Sequence, residues 1–69
     1  MELSAHNQLR GTVTKLTLGG VMAEVPLDIG NGQTITATIT RTSAERLGLA
    51  EGKEAVAIIK STEVIIGME

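Results

Sequence analysis

VMAEVPLDIGNGQTITATIT, residues Val21–Thr40, alternates apolar and polar side chains on both sides of a glycine-rich break. Val21, Ala23, Val25, Leu27 and Ile29 fall on one face, and Met22, Glu24, Pro26 and Asp28 on the other. A period of two is the mark of a half-buried strand. Pro26 has no N–H to give a ladder, so its nitrogen side faces outward or sits at a bulge. Gly30, Asn31 and Gly32 tolerate positive φ and predict a hairpin turn. Beyond it, Thr34–Thr40 alternates again, with Ile35, Ala37 and Ile39 on the apolar face.

Working outward, Leu9–Leu18 predicts an earlier strand that turns at Gly19–Gly20. TSAERLG, Thr42–Gly48, reads as one short helix. Thr42 and Glu45 have the spacing of a capping box, and Gly48 suits the left-handed position after the last turn. AEG, Ala50–Gly52, leads to a strand over Glu54–Lys60. Ser61–Glu63 then turns into a final strand, Val64–Gly67. The expected order is β-β-β-α-β-β. It describes an all-β chain with one short helix, a five-stranded OB-like barrel, as a single domain over 1–69. No linker, low-complexity segment or internal repeat interrupts it.

Composition narrows the function. A chain of 69 residues buries only about 60% of its unfolded surface. Ordering it costs ~1.5 kcal/mol per residue, which apolar burial in so small a scaffold barely offsets. Disulfides are excluded because there is no cysteine. A lone histidine, His6, does not build a zinc site. Phe, Trp and Tyr are absent too, so a core of Val, Ile, Leu, Ala and Met forms without the large area of rings. Oligomerisation is the expected remedy.

The net charge is −2, and the basic residues Arg10, Lys15, Arg41, Arg46, Lys53 and Lys60 are scattered. Duplex nucleic acid is therefore not an expected partner, nor is a single strand, which needs rings to stack on. No apolar run approaches the ~20 residues of a membrane span. The first residues lack the basic-then-apolar order of a signal peptide, and the cytoplasm is the expected location.

No catalytic set is present. His6 is the only neutral-pH base, with no nucleophile and orienting group to complete a triad. Glu24 and Asp28 share a strand face, where carboxylates are ordinarily solvated. Donors are a richer class. Ser4 precedes the first strand; Thr40, Thr42 and Ser43 cluster where a strand enters the helix; Lys60, Ser61 and Thr62 cluster at a turn. Hydroxyls, backbone amides and an ammonium together hold a small oxyanion. The same residues are also ordinary caps and turns.

SAHNQLRGTV, Ser4–Val13, resembles the opening of the molbindins, the small molybdate-binding Mop proteins, which typically reads S-A-R-N-x-L-x-G. TSAERLGLAEGKE and AIIKSTEVIIG resemble the helix and final hairpin of the same domain, often called TOBE, in the same order along essentially the whole chain. The resemblance implies an OB-like barrel and a hexamer, a trimer of dimers, holding molybdate or tungstate at subunit interfaces. It implies an oxyanion pocket drawn from Ser4, Ala5, His6, Thr40, Ser43, Lys60 and Ser61. The hydroxyls and amides would donate and Lys60 would supply charge, with no protein atom bound directly to the metal.

His6 departs from the family pattern, which has arginine there. A guanidinium is always charged and forked; an imidazole is charged only in part near neutral pH. Three outcomes follow: a single donated hydrogen bond, protonation favoured by the bound dianion, or a histidine outside the pocket.

The leading expectation is a non-enzymatic protein that binds and stores molybdate or tungstate inside the cell. The alternative is a molybdate-sensing regulatory or interaction module acting with a separate partner chain.

Overall fold

The computed structural model describes residues 1–69. Along the chain run β1 (Asn7–Val13), β2 (Thr17–Leu18), β3 (Met22–Gly30), β4 (Gln33–Thr40), α1 (Arg41–Leu47), β5 (Glu54–Ile59) and a 3₁₀ turn (Ser61–Glu63).

The β3–β4 hairpin is the frame. Its register runs from Met22 opposite Thr40 to Asp28 opposite Thr34, with a bulge before Gly30 meets Gln33. Asn31 (φ 54°) and Gly32 (φ 73°) close it, two positive-φ residues whose twist matches that of the strands. The Gly30 N–H donates to Asp28 Oδ1 at 2.9 Å. Alternation then decides burial: Ala23, Val25 and Leu27 are buried, while Ile29, Ile35, Ala37 and Ile39 are half-buried. Val13, Val25 and Leu27 form the core, with Leu16, Leu49, Ala55 and Ala57 packed against it.

All five strands belong to one sheet. β4 pairs one edge of β3; β2 and β1 share the other, and β1 goes on to pair β5. The predicted first strand, Leu9–Leu18, is therefore two strands, starting at Asn7 and broken over Thr14–Leu16. Pro26 explains the break. Its carbonyl accepts the Thr14 N–H at 3.1 Å on that edge, and a strand residue turns its N and C=O to the same edge. Its missing donor thus falls in the gap between β1 and β2. Gly11 sits where β1 crosses from β3 to β5; a Cβ there would lie 2.8 Å from the Asp28 carbonyl oxygen.

Two further expectations are corrected. The helix begins at Arg41, and its cap is Thr40, not Thr42: Thr40 Oγ1 accepts the Ser43 N–H at 3.1 Å. Glu45 reaches Arg41 instead, at 3.4 Å, as an (i, i+4) pair. The helix end is as expected. Gly48 is left-handed at φ 69°, and the Leu49 N–H donates to the Ala44 carbonyl at 3.1 Å, the Schellman arrangement.

The second correction concerns Val64–Gly67, which pairs with no strand of its own chain. No residue of Ser61–Glu63 has the positive φ that reverses a tight hairpin. The Glu63 N–H donates to the Lys60 carbonyl at 2.9 Å, and this 3₁₀ turn carries the chain off the end of β5. The order is thus β-β-β-β-α-β. β4 and β5 are not hydrogen-bonded to each other, so the barrel is not closed within one chain. Between them lies an apolar cleft of about 450 Å³.

Candidate functional site: a donor-lined concavity at the end of the β1–β5 ladder

β1 and β5 run antiparallel through six register pairs, from Thr12 opposite Glu54 to Asn7 opposite Ile59. The residues before Asn7 and after Ile59 must therefore emerge at the same end of the ladder. Ser4, Ala5 and His6 meet Lys60, Ser61 and Thr62 there, around a concavity of about 420 Å³. The Gln8 amide Nε2 donates to the Ala5 carbonyl at 3.0 Å and ties the opening segment to the start of β1.

The chemistry of this lining is one-sided. It offers three hydroxyls, an imidazole, an ammonium and no carboxylate. Neither His6 nor Lys60 is in an ion pair; the single salt bridge is Arg41–Glu45. No group of three or more His, Cys, Asp or Glu side chains is placed to hold a metal ion. Such a surface suits an anion whose charge is shared over several oxygens.

Thr40 and Ser43 stand elsewhere. Thr40 Oγ1 donates to Ser43 Oγ at 2.7 Å at the β4–α1 junction. Ser43 lines a separate shallow depression of about 300 Å³ with Arg46 and Leu47. The seven expected site residues thus form two groups, and one chain does not bring them into one pocket. Thr62 and Arg46 were not among the expected seven. Thr62 is next in the Lys60–Ser61 turn, and Arg46 follows Ser43 by three residues on one helix face, so both had a spacing signal.

The TOBE domain profile matches residues 3–66, and the chain belongs to that family. A probable molybdenum-pterin-binding protein of Haemophilus influenzae is 45% identical over 69 residues, covering all of both chains. The solved structure of MopII from Clostridium pasteurianum superposes with a TM-score of 0.91 at 48% identity, over 97% of this chain and 100% of that one. The cytoplasmic molybdate-binding protein ModG, with molybdate bound, superposes with a TM-score of 0.83 at 46% identity, over 88% of this chain and 43% of ModG. The whole-length resemblance read from Ser4–Val13, the helix and the last turn is borne out, as is the mostly-β, five-stranded fold.

Proposed function

We propose that this protein binds and stores molybdate, or tungstate, as the intact oxyanion, in the cytoplasm and without catalysing a reaction. The observation that carries the reading is the concavity of Ser4, Ala5, His6, Lys60, Ser61 and Thr62, rich in donors and free of carboxylates. The molybdate-bound structure of ModG, similar over most of this chain, supports the choice of anion.

The separation of Thr40 and Ser43 from that concavity supports a shared site. The anion sits where one copy presents Lys60 and Ser61 and another presents Thr40 and Ser43, in a hexamer built as a trimer of dimers. Selectivity over sulfate comes from pocket size, since molybdate and tungstate are larger. Phosphate, which keeps a proton near neutral pH, meets a pocket of donors with few acceptors.

Isothermal titration calorimetry with molybdate at micromolar protein tests this. Saturable heat that competing tungstate displaces and sulfate does not is the expected result. No heat, or equal displacement by sulfate, overturns the reading or its size argument, respectively.

A further inference from the structure

α1 carries two arginines, Arg41 and Arg46, and they are committed differently. The Arg41 guanidinium donates to the Gly19 carbonyl at 3.0 Å and to Glu45 Oε2 at 3.4 Å. Arg46 is exposed and is in no ion pair, because the neighbouring Glu45 is taken by Arg41. Towards the helix start, its neighbours at three and four residues are Ser43 and Thr42, neither of them a carboxylate. A helical side chain leans over the turn N-terminal to its own Cα, which aims Arg46 at Ser43. The two residues line one shallow depression with Leu47.

Ser43 is prepared on the same side. Thr40 Oγ1 accepts the Ser43 N–H at 3.1 Å and donates to Ser43 Oγ at 2.7 Å. Ser43 therefore accepts within its own chain and keeps its hydroxyl hydrogen to give. The concavity at the end of the β1–β5 ladder has the opposite shortage. It offers one ammonium, Lys60, one imidazole, His6, and no guanidinium. A tetrahedral dianion with several oxygens exceeds what one ammonium balances.

We propose that Arg46 is an anion ligand in trans. Its guanidinium, in the copy that presents Thr40 and Ser43, closes on the oxyanion that another copy holds with Lys60 and Ser61. The planar fork donates two parallel hydrogen bonds to two oxygens of the anion. The inference rests on the shared oxyanion site proposed above and adds to it a second fixed charge.

The test is calorimetry with molybdate on the full-length wild type, Arg46→Gln and Arg10→Gln. Arg46→Gln is expected to bind about tenfold more weakly or worse, the loss of a hydrogen bond to a charged group. Arg10 is also exposed but lies on β1 opposite Val56, so its variant removes the same charge elsewhere and is expected to bind as the wild type does. Equal losses in the two variants would mean a general field effect and overturn the inference. If the wild type binds and Arg46→Gln binds equally, the inference falls and the shared site stands; if the wild type does not bind, both fall. Co-expressed Arg46→Gln and Lys60→Ala chains then decide the geometry. A site that draws Lys60 from one copy and Arg46 from another regains wild-type affinity in a fraction of mixed oligomers. A structural defect is not repaired in this way, and the absence of any restored site overturns the assignment.

Discussion

Asn7 lies opposite Ile59 at the end of the β1–β5 ladder, and one step further out His6 and Lys60 line the same concavity. An imidazole and an ammonium thus line one concavity because a ladder ends, with no ion pair on either. An arrangement that leaves donors unpaired and together is disposed to take an anion.

Lys60→Ala should weaken molybdate binding by about tenfold or more, the loss typical of a hydrogen bond to a charged group. Lys60 is exposed, so the unfolding midpoint should not move. Calorimetry and thermal unfolding of one sample check both, and unchanged affinity would remove Lys60 from the site.

His6→Arg puts a guanidinium, always charged and forked, where the imidazole lines the concavity. Molybdate should bind this variant more tightly than the wild type, by about tenfold. Calorimetry of the two proteins at one pH checks this, and an unchanged affinity would remove residue 6 from the site.

The cap assignment separates two threonines. Thr40→Val removes the acceptor of the Ser43 N–H and should cost about 1 kcal/mol of stability. Thr42→Ala should change stability by less than ~0.5 kcal/mol, as surface substitutions do. Urea unfolding of both variants distinguishes them; the reverse order would restore the box predicted from Thr42 and Glu45.

Gly11→Ala should destabilise by ~1–3 kcal/mol, the usual range for overpacking, because the added carbon meets backbone at the Asp28 carbonyl. Gly20→Ala is the control, since nothing lies within 4 Å of its Cβ position. Equal midpoints for the two variants would show that β1 shifts to accommodate the methyl.

The parts of the fold written in local pattern were legible. The Val21–Thr40 hairpin followed from a period of two around residues that tolerate positive φ, and the end of α1 from Gly48. The parts that depended on a distant edge were not. Whether Leu9–Leu18 forms one strand depends on which edge Pro26 turns toward β1, and neither stretch shows this alone. Val64–Gly67 has the composition of a strand but finds no edge within its own chain. The site divides similarly. Of the seven residues that the resemblance grouped, Ser4, Ala5, His6, Lys60 and Ser61 line one concavity where the β1–β5 ladder ends, while Thr40 and Ser43 lie at the β4–α1 junction.

The concavity draws on residues 4–6 and 60–62, so its two walls lie far apart in the sequence. Joining them closes a long loop, and the entropy of that closure is met only when the strands between are in place. A ligand held there binds the finished fold and no early fragment of it, so it raises stability by mass action without guiding the chain towards its structure. During synthesis Lys60 emerges long after Ser4, and a nascent chain has no pocket until both walls have been made. Occupancy of this site is therefore a report on the integrity of the sheet that joins them.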